Sequence, residues 1–328
     1  MLKSALKQVV SRRRGEVPPI PAEDGRYYSH ENTVRWLREY TEQLRRSAYL
    51  GYPSFVHMET LASCNAACVF CPYPTLERQG TRMPDALIEK IVGDLTAVPQ
   101  DLPFTIAPYK VSEPFLDVRL FDVLDLIRAK LPSEEIYLSS NVAALTEKKM
   151  DDLARQSRIR VFTLSINSED PGEYEAVMKI PFARTLSRLT ALHERAAAGR
   201  YRFPIRLTRV TGGRTDDQSF VDWAKREFPA FQAMIIPRND WIGNAVTPGA
   251  HDVVPDAPCH RWFDLSIMAT GEVAMCCMDG KGQYLKGDVR TQHVLEIYNQ
   301  PRLVELRKTL ISRQQAGDPC SRCTYISW

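Results

Sequence analysis

The sequence contains no run approaching the eighteen or more apolar residues of a membrane-spanning helix, so no membrane partner is expected. It also has little excess of charge: 43 lysines and arginines face 40 aspartates and glutamates. That balance excludes the strongly basic scaffold typical of nucleic-acid binders. Ser11-Arg12-Arg13-Arg14 faintly resembles an export signal, but no apolar segment follows it; Gly15-Glu16-Val17-Pro18-Pro19 comes next. A solvated basic first helix and a cytoplasmic location are therefore expected. No internal repeat or low-complexity tract is present. Finally, none of the eight cysteines lies between Cys71 and Cys259. Two separate cysteine bundles in a large chain without a signal peptide favour metal-cluster ligation over a disulfide framework.

At 328 residues the chain can form one large domain and a smaller one. Strand-like runs at 54–61, 104–111, 135–142, 160–167, 204–210 and 231–237 alternate with helical patterns. Leu87, Ile88, Ile91, Val92 and Leu95 form one helical stripe; Leu186, Leu189 and Leu192 mark a second, and Phe220, Val221 and Ala224 a third. Thr146 reads as an N-cap. This order predicts an α/β protein with a parallel sheet and right-handed crossovers. The turn-rich stretch 247–258 reads as a linker. Three regions follow: a helical extension over 1–50, a main domain over 51–246 and a small α+β module over 247–328.

The most informative motif is Cys64-x-x-x-Cys68-x-x-Cys71, after the apolar run Phe55 to Ala62. Thiolates suit iron–sulfur clusters and zinc, but zinc structural sites usually complete four paired ligands. The motif and its setting resemble the radical S-adenosylmethionine (SAM) enzymes. The resemblance implies a partial (β/α)6 barrel of TIM-like type, with a [4Fe–4S] cluster on Cys64, Cys68 and Cys71. The open iron of that cluster would chelate SAM, and Phe70 would lie near the adenine. Glu113, in Ser112-Glu113-Pro114, stands where relatives carry Gly-Glu-Pro against the SAM amino group. Ser139 and Asn141 stand where relatives contact the ribose. Ser165 and Arg184 are candidates for the methionyl carboxylate, with Asn167 capping the strand end. Glu59 is expected to be a buried acid with a structural partner; contact with substrate or SAM is the sharper alternative.

In the tail, Cys259, Cys276, Cys320 and Cys323 follow the ordering of SPASM, or shortened twitch, auxiliary-cluster domains. The resemblance implies a second [4Fe–4S] cluster on these four; zinc is the bland reading of four cysteines alone. Gly271 is expected to turn a hairpin that presents Cys276. Cys277 is left over. Adjacent side chains on a strand point to opposite faces, so Cys276 and Cys277 do not easily serve one cluster; Cys277 is a small buried hydrophobe on the bland reading, and on the sharper one it faces the active site.

In this family a SAM-derived radical abstracts a substrate hydrogen, with an external electron donor such as flavodoxin or ferredoxin. Epimerisation of a small polar, sugar-like molecule is expected, with Cys277 as hydrogen donor, similar to the neomycin C epimerase type. Dehydrogenation of an alcohol, decarboxylation of a sugar acid (with Arg209, Arg238 or Arg261 on the carboxylate), peptide maturation and plain electron transfer are the alternatives. Arg238-Asn239-Asp240-Trp241 offers polar and stacking contacts.

Overall fold

The structure, a computed structural model, describes residues 30–132, 134–212, 214–245, 253–309 and 311–326. Residues 1–29 of the expected extension, 247–252 of the expected linker, and Leu310 lie outside them. Helix α1 (His30–Arg45) covers the helical part expected before the barrel.

Six β/α units follow. The strands are β1 (Phe55–Met58), β2 (Phe104–Ala107), β3 (Glu134–Ser140), β4 (Ile159–Ser165), β5 (Ile205–Val210) and β6 (Gln232–Ile236). Each pairs in parallel with the next. The intervening helices are α2 (Asp85–Leu95), α3 (Leu120–Lys130), α4 (Glu147–Ala154), α5 (Pro171–Met178), α6 (Phe182–Ala197) and α7 (Arg214–Glu227). Strand periodicity sorts the two faces. Val56, Met58, Leu138, Phe162, Leu164 and Leu207 bury into the core beneath the helices, where α2 contributes Ile88, Ile91, Val92 and Leu95. The alternate residues Phe55, His57 and Tyr137 face the lumen, with Phe55–His57 and Phe55–Tyr137 ring centroids 4.6 Å and 6.0 Å apart. Helix α4 opens as expected at Thr146, whose hydroxyl accepts the Lys149 N–H at 3.4 Å.

The barrel is open. Strand order runs β6-β5-β4-β3-β2-β1, and the free side of β1 is taken by β7 (Asp264–Ile267), also parallel. The sheet then continues antiparallel through β8 (Glu272–Ala274) and β9 (Leu285–Asp288). Gly271, at φ +94°, makes the β7–β8 turn. Helices α8 (Val294–Tyr298) and α9 (Pro301–Thr309) complete the tail. One nine-stranded sheet thus runs through both expected regions.

Five strands stop short of their expected ends: β1 at Met58, β2 at Ala107, β3 at Ser140, β4 at Ser165 and β6 at Ile236. At these carboxyl ends the backbone leaves the ladder. Val142 and Asn167 adopt positive φ values of 69° and 71°, and buried polar side chains replace the ladder bonds.

Candidate active site between two cysteine groups

The first cysteine loop leaves the end of β1 and docks on the end of α5. Ala67 N and Val69 N donate to the carbonyls of Met178 and Val177, at 3.2 and 3.0 Å. Cys68 Sγ lies 3.5 Å from Met178 Sδ. The three thiols are brought together closely enough that Cys71 and Cys64 both disfavour ionisation of Cys68. Burial pushes the Cys64 thiol up to about 12 and Cys71 to about 11. These desolvated sulfurs are poor thiolates unless a metal supplies the positive charge, which is what iron ligation does.

Glu113 sits beside this loop. Its carboxylate accepts from Ser140 Oγ and Asn141 N, both at 2.8 Å, and from Phe115 N at 3.1 Å. Burial nevertheless raises it to about 7. A ligand ammonium would restore its charge, so the residue fits a SAM amino group. Asn141 Nδ2 is 3.8 Å from Cys64 Sγ and 2.9 Å from Asn65 Oδ1. Ser139 meets the Tyr109 phenol. Ser165 accepts from Asn167 Nδ2 at 2.9 Å, and the same nitrogen lies 3.0 Å from Met178 Sδ. The Phe70 carbonyl receives Trp241 Nε1 at 2.9 Å, joining the loop after β6 to the cysteine loop.

Other expected residues lie elsewhere. Arg184 is exposed on α6, and no bond carries it to the site. Arg209 is fully buried, but Glu173, Asp217 and the Asn167 carbonyl hold it, so it does not offer itself to a substrate carboxylate. Glu59 takes its structural role: it bonds Arg78, Val111 N and Ala269 N.

The second group gathers in the tail. Cys276 is half-buried beside Cys277, Cys323, Cys259 and Cys320, each of which disfavours its ionisation. Cys259, Cys276, Cys320 and Cys323 line one small cavity, together with Trp262 and Met275. Trp262 Nε1 points at Cys320 Sγ from 3.4 Å. Three cations attend this cavity: Arg261 and Arg313 in its lining and Lys286 beside it. Arg313 favours the charged forms of Cys320 and Cys323, and two of its buried nitrogens, Nε and Nη2, have no hydrogen-bond partner. Lys286, lowered by burial to about 8, is drawn back up by Cys276 and Cys320. Buried cations facing four sulfurs suit an anionic thiolate-bound cluster. Among the described residues no three His, Cys, Asp or Glu side chains are placed to hold a single metal ion. Zinc needs all its sulfurs about 2.3 Å from one point, whereas a four-iron cluster spreads them over different irons.

The strand argument for Cys277 requires correction. β8 ends at Ala274, and Cys276 and Cys277 lie in the bend and turn beyond it. Both pack in the same small cluster with Ile242, Met278, Cys323 and Tyr325, so their separation is set by the turn. Cys277 interacts electrostatically with Arg261, Asp264, Lys110 and Cys259, and it also influences Tyr109.

Sequence reading missed the lumen itself. Phe55, His57, Tyr109 and Tyr137 line it, and Arg261 crosses from the tail, its guanidinium 5.7 Å from the Phe55 ring centre. Alternation along β1 was the available signal; the neighbouring strand β7 was not legible from it.

Residues 259–324 match the SPASM family, described as an iron–sulfur cluster-binding domain. No curated protein matches. Among solved structures, the chain resembles BtrN in complex with AdoMet and 2-DOIA (TM-score 0.57, 16% identity, covering 84% of this chain and 94% of that one). It also resembles Streptococcus suis SuiB bound to precursor peptide SuiA (TM-score 0.63, 12% identity, 98% and 80% covered). A third is anSMEcpe with bound AdoMet (TM-score 0.57, 14% identity, 82% of each chain). The fold is that of the radical SAM enzymes with a C-terminal SPASM-type domain. No helix among the described residues is long and apolar enough to cross a membrane.

Proposed function

We propose that this chain is a radical SAM enzyme that epimerises a small polar, sugar-like molecule, with Cys277 as hydrogen donor. Cys64, Cys68 and Cys71 would hold one [4Fe–4S] cluster, and Cys259, Cys276, Cys320 and Cys323 a second. Phe70, Glu113, Ser139, Asn141 and Ser165 would surround SAM. The bound cluster and SAM would together supply a 5′-deoxyadenosyl radical able to take a hydrogen atom from a substrate carbon.

The observation that carries the reading is the place and state of Cys277. It is close enough to Arg261, Asp264 and Lys110 to interact with them, and desolvation raises its thiol above the usual range. A hydrogen-atom donor must hold its hydrogen, so this protonated state is the competent one. The Cys277 S–H bond would break as a C–H bond forms on the opposite face of the substrate carbon. The sulfur is left one electron and one proton short; an external donor such as flavodoxin or ferredoxin must return the electron, and solvent the proton. Glu113 would hold the SAM ammonium, and the packed loops would exclude water from the radical.

A second reading, dehydrogenation of an alcohol, has one observation in its favour: the resemblance to BtrN, whose structure contains AdoMet and a small molecule. SuiB, solved with a precursor peptide, represents a third substrate type. Turnover in deuterated water separates these readings. Epimerisation with Cys277 as donor predicts one deuterium in the product, and Cys277→Ala should form 5′-deoxyadenosine without epimer. An unchanged product from that variant would overturn the assignment.

A further inference from the structure

Three buried polar groups on the lumen wall lack a well-formed hydrogen bond. His57 is 9% exposed; neither ring nitrogen makes a well-formed hydrogen bond among the described residues, its one polar neighbour being the Tyr109 backbone. Ser266 is fully buried and its hydroxyl is likewise unpaired. Nε of Arg261 is the third, on a side chain that lies between the lumen and the second cysteine cavity and also donates to the Tyr325 hydroxyl at 2.9 Å. Their convergence is built into the sheet. His57 on β1 is the register partner of Ser266 on β7, so their side chains emerge next to each other on one face. The flanking residues Val56, Met58, Leu265 and Ile267 point the other way into the core. Phe55, two residues before His57, brings in Arg261: the His57 and Phe55 rings are 4.6 Å apart, and the guanidinium lies over the same Phe55 ring.

Leaving one such group unpaired costs about 1–3 kcal/mol, so three together mark a place prepared for a polar guest. We propose that His57 and Ser266, with Nε of Arg261, form a subsite for adjacent hydroxyls of an uncharged polyhydroxylated ring whose apolar face rests on the lumen aromatics. A hydroxyl both donates and accepts, as do a neutral imidazole and a serine; a carboxylate or phosphate only accepts. His57 is kept neutral by burial, and by Arg261 and Lys110 nearby. The Arg261 charge is already answered by Asp264 at 2.9 Å, leaving that cation poorly placed to draw in a second anion. Phe55, Tyr109 and Tyr137 supply flat apolar faces beside the polar groups.

This subsite deepens the epimerase reading by naming its substrate class, and its test does not depend on turnover. Cluster-loaded protein, without reductant, would be examined by saturation-transfer NMR with myo-inositol, glucose, glucuronate and glucose 6-phosphate. Saturation should reach the two neutral rings, and the two anions at least threefold less. His57→Phe and Ser266→Ala, each checked for an unchanged melting temperature, should reduce the neutral-ring signal at least fivefold. If His57→Phe does not fold, Ser266→Ala decides alone. Preference for the anions, no signal from either neutral ring, or full signal in the folded variants would overturn the subsite and leave these atoms to buried water. Failure of hydrogen return from Cys277 would appear only in the deuterium experiment, so the two ideas fail separately.

Discussion

Glu59 and Arg78 form a buried ion pair, with Arg78 Nε 2.7 Å from Glu59 Oε2 and Nη2 3.1 Å from Oε1. The pair ties together parts of the chain far apart in sequence. Glu59 also receives Val111 N beyond β2 and Ala269 N beyond β7, each at 3.2 Å, while Arg78 donates to the Gly280 carbonyl at 2.7 Å. The cysteine loop, two strand ends and the turn after Cys277 thus share one polar anchor. Removing one partner leaves the other charged and unsatisfied in the interior. Glu59→Leu should therefore lose about 3–5 kcal/mol in urea unfolding, and Glu59→Leu with Arg78→Leu should lose clearly less than the sum of the two single variants.

Cys64→Ala should remove one cluster and spare the other. Iron should fall from about eight to about four per chain, as expected for loss of one of two four-iron clusters. Production of 5′-deoxyadenosine should disappear. Cys320→Ala should also lower the iron content while SAM cleavage persists, which chromatography after dithionite reduction would show.

Trp241→Phe keeps one aromatic ring but removes the pyrrole half of the indole, with the Nε1–H that reaches the Phe70 carbonyl. A single hydrogen bond of this kind is worth about 1 kcal/mol, and the missing ring atoms add a packing loss. Stability should fall by more than about 1 kcal/mol, and SAM affinity should weaken severalfold because the cysteine loop loses its tie to the loop after β6. Urea unfolding and calorimetric titration of SAM check the two effects separately.

Glu134 provides a pH dependence remote from both cysteine groups. Burial at the start of β3 lifts its carboxyl from 4.5 to about 7, although Arg158 lies 3.0 Å from one oxygen; the other oxygen has no partner. Between those values the folded protein holds a proton that the unfolded chain has released. This residue's contribution to stability is therefore complete below about pH 4.5 and is lost as pH rises toward 7. Glu134→Gln should flatten that part of the stability profile in urea unfolding, measured from pH 5 to pH 8.

The alternation of β and amphipathic segments was legible in the sequence because each reports a local period: two in β3, and 3.6 in α2 with its Ile88, Ile91, Val92 and Leu95 face. The cysteine spacings were legible for a similar reason, since loop ligands to one centre come from nearby positions. Where the elements end was less legible. Glu59 and Asn141 continue a strand-like pattern on paper, yet side-chain carboxylates take up backbone N–H groups there: Glu59 accepts from Val111 N, and Glu113 accepts from Asn141 N, where the chain turns into the site loops. Arg184 and Arg209 show the limit for single charged residues: helix position leaves one on the surface, and neighbouring acids enclose the other.

The sequence by itself determined the six β/α units and the two thiol groups, because those follow from short-range periodicity and ligand chemistry. Only the tertiary structure decided what lies between them. The pairing of β7 with β1 brings Ser266 beside His57, 209 positions earlier in the chain, and the turn after β8 brings Cys277 close enough to Arg261, Asp264 and Lys110 to interact with them. Such neighbours are fixed by strand pairing over long sequence separations, and no local pattern encodes that pairing.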